Sequence, residues 1–195
     1  MATPFIQQSH GAVAVLSISA IAFSAGELGQ AFRLRRGAAH ASVVGEVLFR
    51  LLFFGAILLL PFGASVAPHA AVPGGVVAFV LGATVGWLGL LLRWWSFFAL
   101  GRYFTVVVRT SSGQKVVERG PYRILRHPSY TGLLMALLGC GVMLGNWAGA
   151  LASSAVLLVA VVYRIRIEER ALIANLGDAY RAFAKDRARL LPFIW

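Results

Sequence analysis

The sequence predicts an all-α membrane protein with about five transmembrane helices, a cytoplasmic loop and a C-terminal amphipathic helix. Hydrophobic residues make up 59% of the 195 positions, charged residues only 13%, and the apolar residues fall in long runs. Soluble domains average roughly 45–50% apolar and about 25% charged residues, whereas a bilayer span takes about 20 mostly apolar residues. The composition therefore excludes an ordinary soluble domain and a disordered chain.

Three apolar runs in the first half are predicted to span the membrane, at about residues 11–32, 44–62 and 74–98. Residues 1–10 contain no Lys or Arg. The first run therefore lacks the positive region of a signal peptide, and we interpret it as a retained span. Glu27 and Arg93 fall inside these runs, where ionisable groups are functional candidates by default. The topology places both toward the cytoplasmic end, where they could pair or border a pocket.

The second half begins with a basic loop at 99–126 and continues with an apolar run at 131–162 that is too long for one ordinary span. Gly145-Asn146-Trp147 predicts a tight turn that divides this run into two short helices. Spacings of the GxxxG type, including Gly82–Gly86 and Gly141–Gly145, favour close helix packing. We therefore divide the chain into residues 1–98, with three transmembrane helices, and residues 99–195, with the loop, a helical hairpin and an interfacial helix.

The basic residues predict the orientation of the chain. The formal net charge is +11, and 16 of the 18 Lys and Arg residues fall within 33–36, 99–126 and the tail from 164. The linker 63–73 and the turn near Asn146 carry none. With five spans the basic segments share one face, so the positive-inside rule places the N-terminus outside and the C-terminus in the cytoplasm. Topology explains the charge, so no nucleic-acid partner is needed, and the four scattered histidines predict no metal site.

A first polar segment, residues 118–132, contains a Gly-Pro turn and a His-Pro turn, and Pro128 suits the first turn of a helix. A helix start offers unpaired N–H groups to an anionic ligand group. An interfacial belt of aromatic and basic residues would account for the same composition. The polar candidates in this segment are Tyr122, His127, Ser129 and Tyr130.

A second polar segment closes the fifth span. Arg164 and Glu168 are four residues apart and share a helix face, which is compatible with a surface ion pair. The adjacent acids Glu168 and Glu169 beside lipid headgroups favour a cationic ligand. An apolar face then follows at helical spacing, and its basic flanks favour a helix on the membrane surface, with packing against the bundle as the alternative. That face consists of Leu172, Leu176, Tyr180 and Phe183.

These residues resemble the isoprenylcysteine carboxyl methyltransferase family. The resemblance rests on Gly120-Pro121-Tyr122, Arg126-His127-Pro128-Ser129-Tyr130 with Gly132, Arg164, Glu168-Glu169, Leu172, Gly177, Tyr180 and Leu191-Pro192-Phe193-Ile194. It covers roughly residues 99–195, whereas residues 1–98 match only as generic spans. The resemblance implies an integral membrane methyltransferase that uses S-adenosyl-L-methionine in a cytoplasm-facing pocket and takes a lipophilic, prenylcysteine-like substrate from the bilayer.

The family motifs also imply residue roles. Arg164 would bind the substrate, and Arg164 and Glu168 would be the catalytic residues. Eukaryotic members often have a His-Val-Val-Gln run where this chain reads Thr105-Val106-Val107-Val108, so one glutamine contact is missing. The implied cofactor-binding residues are Gln114, Lys115, Val116, Val117, Tyr122, His127, Pro128, Ser129, Tyr130 and Glu168.

A carboxylate acceptor is already ionised at neutral pH, so methyl transfer to it needs alignment rather than a general base. Three alternatives stay open. A lipid amine N-methyltransferase would share the cofactor but need a base, for which Glu169 or His127 could serve. A nicotinamide-dependent sterol-type reductase has a similar C-terminal half but is usually much longer. A non-enzymatic membrane scaffold or carrier would leave the two polar cytoplasmic segments unexplained.

Overall fold

The computed structural model describes residues 4–33, 43–101, 116–192 and 194–195. These residues fold almost entirely into helices, which confirms the predicted helical membrane fold. A short 3-10 turn at Gly120–Arg123 precedes α5. The helices are α1 (Phe5–Gln8), α2 (His10–Arg33), α3 (Val43–Val66), α4 (Gly75–Leu100), α5 (Pro128–Met143), α6 (Trp147–Leu176) and α7 (Asp178–Lys185).

Four helices, α2, α3, α4 and α6, are long and apolar enough to cross a membrane. The predicted runs at 11–32, 44–62 and 74–98 correspond to α2, α3 and α4 within a few residues. The fifth apolar helix, α5, has 16 residues. At 1.5 Å per residue it is about 24 Å long, somewhat shorter than the hydrocarbon core of a bilayer.

The predicted turn between α5 and α6 is present. Gly145 adopts a positive φ of 75°, which a residue without a Cβ tolerates. Asn146 caps α6 by accepting a hydrogen bond from the Gly149 backbone N–H at 2.8 Å, and its amide donates to the Ala67 carbonyl at 2.8 Å. The expectation of two short helices is wrong for the second, because α6 runs for 30 residues. Its polar C-terminal half finds partners within the protein and therefore stays helical.

Glycines bring α4 and α5 into close contact. A Cβ built on Gly132 would lie 2.5 Å from the Gly89 carbonyl oxygen, and one on Gly139 would meet backbone atoms of Gly82 and Gly86. The Gly82–Gly86 spacing therefore marks a real helix contact, as predicted. Gly145, in contrast, lies in the turn, so the Gly141–Gly145 spacing does not form one continuous helix face.

The main core lies between α3, α5 and α6. Ser153 on α6 donates a hydrogen bond to the Ala56 carbonyl on α3 at 2.6 Å, which requires close approach of the two helices. The buried apolar residues of this core are Ala56, Leu60, Leu133, Leu137, Leu157, Val161, Ile165 and Leu190. Leu190 brings the C-terminal segment into the same core.

The connections meet at two opposite ends of the bundle. At one end, the Val72 N–H donates to the Gly145 carbonyl and the Trp147 N–H donates to the Ala70 carbonyl, both at 2.9 Å. At the other end, residues 125–127 pair with residues 188–189, and the Arg126 N–H donates to the Ala188 carbonyl at 2.8 Å. The neutral connections thus share one end, and the polar segments share the other.

The apolar face predicted for one C-terminal helix is divided between two helices. Leu172 and Leu176 lie near the C-terminal end of α6. Gly177, with φ of 55°, then turns the chain into α7. Tyr180 and Phe183 on α7 are buried. These two side chains therefore pack against the protein, which is the alternative that the sequence left open.

Candidate active site

A chain of hydrogen bonds joins three helices at the polar end of the bundle. The Tyr130 hydroxyl, in the first turn of α5, donates to Glu168 Oε2 at 2.9 Å. The same hydroxyl accepts from Arg164 Nε at 2.8 Å. The NH1 group of Arg164 donates to Glu46 Oε2 on α3 at 2.9 Å. We call Glu46, Tyr130, Arg164 and Glu168 the Arg164 cluster.

The guanidinium of Arg164 is buried, and its side chain is 7% exposed. Its central carbon lies 4.3 Å from the centre of the Phe49 ring, a cation–π contact. A guanidinium held by an aromatic face and by bonds to two different helices has a fixed plane. Arg164 and Glu168, which the sequence places on one helix face, are thus linked through the Tyr130 hydroxyl, and Arg164 is buried rather than at the surface.

A second group of charges surrounds Glu169, one residue further along α6. Its Oε1 accepts from Arg126 NH1 at 2.8 Å and lies 3.4 Å from His127 Nε2. Its Oε2 accepts from Arg189 Nε at 3.0 Å. We call Arg126, His127, Glu169 and Arg189 the Glu169 cluster. It fastens the start of α5 and the C-terminal segment to α6.

The two clusters are in contact through stacked rings. The His127 and Tyr130 rings have centroids 5.8 Å apart and an interplanar angle of 25°. His127 is buried, so it contributes to this arrangement from inside the protein. Its nearest carboxylate, Glu169, is already bound by two arginines, which leaves neither residue as an uncommitted base.

Glu27 and Arg93 pair, as the sequence suggested they could. Arg93 Nε and NH2 donate to the two carboxylate oxygens of Glu27 at 2.6 and 2.8 Å. The NH1 group of Arg93 donates to the Ser129 carbonyl at 3.0 Å. This bidentate pair connects α2 and α4 to the first turn of α5, which carries Tyr130.

The remaining predicted residues lie around this turn. Pro128 and Ser129 are buried at the start of α5, and Val116 and Val117 are half-buried. Gln114, Lys115 and the run from Thr105 to Val108 lie outside the described residues. Tyr122 is buried in the 3-10 turn, and this burial, together with the Glu168 carboxylate, raises its pKa well above the usual value. It therefore stays neutral across the physiological range.

Tyr180 carries a buried polar atom without a hydrogen-bond partner. The residue is 4% exposed, and its hydroxyl makes no hydrogen bond within the part of the chain that the structure describes. Burial, with Glu169 and Glu168 close by, raises its pKa, so the hydroxyl keeps its proton. A buried hydroxyl without a partner costs free energy, which marks this position as one where a ligand group could bind.

Sequence reasoning missed two features of this site. Glu46 lies near the start of a generic apolar run, and no sequence motif points to it. The pairing of Glu169 with Arg126 and Arg189 joins residues far apart in the chain, which no local spacing encodes.

The fold and the site together define an integral, multi-pass helical membrane protein with a buried polar site at one end of its bundle.

Comparison with known proteins shows that part of the chain is similar to one protein family. Residues 81–174 match the isoprenylcysteine carboxyl methyltransferase (ICMT) family. The chain is 36% identical over 115 residues to protein-S-isoprenylcysteine O-methyltransferase B of Arabidopsis thaliana, with 58% of each chain covered. The predicted resemblance to the ICMT family is confirmed.

Two further similarities concern the fold and the range of relatives. The solved structure of a eukaryotic intramembrane Ras methyltransferase, ICMT, has a TM-score of 0.63 at 24% identity, covering 75% of this chain and 52% of that one. Methanethiol S-methyltransferase 2 of Bradyrhizobium diazoefficiens is 34% identical over 128 residues, covering 60% of this chain and 48% of that one. The chain spans about half the length of the curated relatives it matches.

Proposed function

We propose that the protein transfers a methyl group from S-adenosyl-L-methionine to the carboxylate of a lipophilic, prenylcysteine-like substrate. The observation that carries this proposal is the Tyr130 hydroxyl, which joins Arg164 and Glu168 through bonds of 2.8 and 2.9 Å. One basic and one acidic group are thereby held at fixed positions on the same helix. The family relationship supports methyl transfer as the reaction.

The charges and the buried hydroxyl of the site fit a cationic methyl donor. The Glu168 carboxylate, held by the Tyr130 hydroxyl at 2.9 Å, is a negative group with which a positively charged ligand could pair. The buried Tyr180 hydroxyl would gain the hydrogen bond that it lacks. We propose Gln114, Lys115, Val116, Val117, Tyr122, His127, Pro128, Ser129, Tyr130 and Glu168 as the donor-binding residues.

When bound, S-adenosyl-L-methionine would supply an electrophilic methyl carbon and a neutral thioether leaving group, so that an ionised carboxylate could accept the methyl group without any proton transfer. Arg164 would hold that carboxylate through charge-assisted hydrogen bonds, and Glu168 would accept from an amino or hydroxyl group of the donor. The apolar helices around the site would exclude water, and alignment of the two reactants supplies much of the rate.

The structure gives little support to the amine-methylating alternative. That reaction needs a general base, and the candidates Glu169 and His127 are buried together in the Glu169 cluster. A thiol acceptor deserves a direct comparison, because one relative is named a methanethiol S-methyltransferase. We therefore propose carboxylate methylation and treat amine and thiol methylation as outcomes of its test.

The test is methyl transfer from labelled S-adenosyl-L-methionine by the purified protein. We expect a base-labile methyl ester on N-acetyl-farnesylcysteine and no label on phosphatidylethanolamine or methanethiol. Base-stable label on either of the other acceptors would overturn the carboxylate assignment.

Donor binding is tested separately with S-adenosylhomocysteine and NADPH. We expect the wild-type protein to bind only the former, and Glu168→Gln to weaken this binding by about tenfold through the loss of a charge-assisted bond. The matched control is Glu118→Gln, at an exposed carboxylate paired with Arg187. NADPH binding would instead favour the reductase, and unchanged affinity in Glu168→Gln would remove that residue from the donor site.

A further inference from the structure

Glu46 is a half-buried carboxylate that neither the family region nor the sequence motifs include. It lies on α3, outside residues 81–174 that match the family. Its side chain is 13% exposed, and its two oxygens have different partners. Oε2 accepts from Arg164 at 2.9 Å, and Oε1 accepts from Arg50 at 2.8 Å.

The Glu46 carboxylate thus binds the Arg164 guanidinium, which is the group proposed to bind the acceptor's carboxylate. A buried guanidinium that loses its counter-ion pays a large desolvation cost. If an acceptor carboxylate replaces Glu46, Arg164 keeps a carboxylate partner at this position throughout the exchange. Exchange of one carboxylate for another is therefore the favoured route onto Arg164.

Arg50 offers Glu46 an alternative partner during this exchange. It lies one helical turn beyond Glu46, and its side chain is 57% exposed. Because Arg50 already holds Oε1, Glu46 can release Arg164 and remain in an ion pair at the edge of α3. The displaced carboxylate therefore stays neutralised, which lowers the cost of acceptor binding.

We propose that Glu46 is a resident counter-ion that competes with the acceptor, a carboxylate that occupies Arg164 until the carboxylate of the acceptor replaces it. This inference rests on the proposed function. It assigns Glu46 no part in methyl transfer itself. Its role is to keep the Arg164 guanidinium paired and fixed while no acceptor is bound, so it competes with the acceptor's carboxylate for that position.

The test measures binding of N-acetyl-farnesylcysteine and of its neutral methyl ester to the full-length protein loaded with S-adenosylhomocysteine. Glu46→Gln removes the competing charge, so we expect the acid to bind about tenfold more tightly and the ester to be little changed. Arg50→Gln removes the alternative partner, so we expect the acid to bind a few-fold more weakly. The two substitutions are thus expected to change the affinity for the acid in opposite directions.

Asp178→Asn and Arg181→Gln are matched controls, since they make the same charge changes in an exposed ion pair on α7. S-adenosylhomocysteine affinity verifies that each variant is folded. Weaker or unchanged acid binding in Glu46→Gln would overturn the inference, as would equal shifts in the controls. If Glu46→Gln does not fold, the test uses Arg50→Gln. Unchanged acid binding in that variant would then overturn the inference. Wild-type protein that binds neither acid nor ester would overturn the proposed function and this inference together.

Discussion

Arg164 makes two hydrogen bonds that a lysine could not make with the same geometry. Its Nε bonds Tyr130 and its NH1 bonds Glu46, so one planar group spans two helices. A lysine ammonium keeps the charge but is a point donor on a flexible stem. The residue therefore matters through the shape of its guanidinium as well as through its charge.

For Arg164→Lys we expect turnover to fall on the order of 100-fold, because misplacement of reacting groups by about 1 Å has this effect. Affinity for S-adenosylhomocysteine should stay close to that of the wild type, since Arg164 is proposed to face the acceptor. Steady-state methyl transfer and donor titration measure the two quantities. Arg166→Lys, at an exposed position on the same helix, is the control. A fully active Arg164→Lys variant would contradict the proposed role.

Tyr180 allows a test in which stability and binding move in opposite directions. Its hydroxyl is buried and without a hydrogen-bond partner, so removing it abolishes a cost rather than a bond. We expect Tyr180→Phe to leave the Tm of the ligand-free protein unchanged or raised, and to weaken S-adenosylhomocysteine binding by about three- to tenfold. Thermal unfolding and calorimetric titration measure these changes.

The control for Tyr180→Phe is Tyr163→Phe, which removes the same atom from an exposed side chain. It should alter neither quantity. Donor affinity that is equal in Tyr180→Phe and the wild type would show that the hydroxyl does not contact the donor.

At the scale of the elements, the glycine contact between α4 and α5 sets the position of the site. Arg93 near the end of α4 bonds the first turn of α5, and this reach depends on close approach of the two helices. A Cβ on Gly139 would meet backbone atoms on α4, which cannot move aside as a flexible side chain can.

We expect Gly139→Ala to lower the free energy of unfolding in detergent by about 1–3 kcal/mol, the usual cost of overpacking. Gly55→Ala on α3 is the matched control, because among the described residues the added Cβ would have no atom within 4 Å apart from its chain neighbours and the backbone of its own helix. Alanine favours helix more than glycine does, so the control should be neutral or slightly stabilising. Equal effects of the two substitutions would show that the α4–α5 contact tolerates a Cβ.

At the scale of the whole molecule, the connections separate into a neutral end and a polar, basic end. The linker before α4 and the α5–α6 turn are joined by backbone hydrogen bonds, as expected if both lie on one side of the membrane. We propose that this side is external and that the polar end, with the active site, faces the cytoplasm. The division into residues 1–98 and 99–195 remains a proposal, and the family match begins inside α4.

Reporter fusions test this orientation. A fluorescent protein fused after Trp195 should be active in the cytoplasm, and alkaline phosphatase fused after His69, in the linker, should be active outside. The exchanged fusions serve as controls and should be inactive. Two sites that report the same side would contradict the five-span topology.

Much of the fold follows from local sequence, because long apolar runs can only be stabilised as helices in lipid. The turn at Gly145-Asn146 could also be predicted from the sequence, because a glycine with positive φ and an asparagine cap depend on only a few neighbouring residues. The same locality explains why Tyr130, Arg164 and Glu168 were found by their motifs. Helical spacing after residue 162 could also be predicted from the sequence, but not that this charged segment continues the fifth span as one helix to Leu176.

The sequence by itself determined the helical membrane class, the spans, the turn and the motif residues, since each depends on composition or short-range spacing. Only the tertiary structure decided which charges meet. Glu46 comes to Arg164 from a position 118 residues away, and Glu27 comes to Arg93 from 66 residues away. Glu169, which the sequence offered as a base, is instead bound by two arginines. Ion pairs form by proximity in space, and the packing of α3, α4 and α5 around α6 sets that proximity.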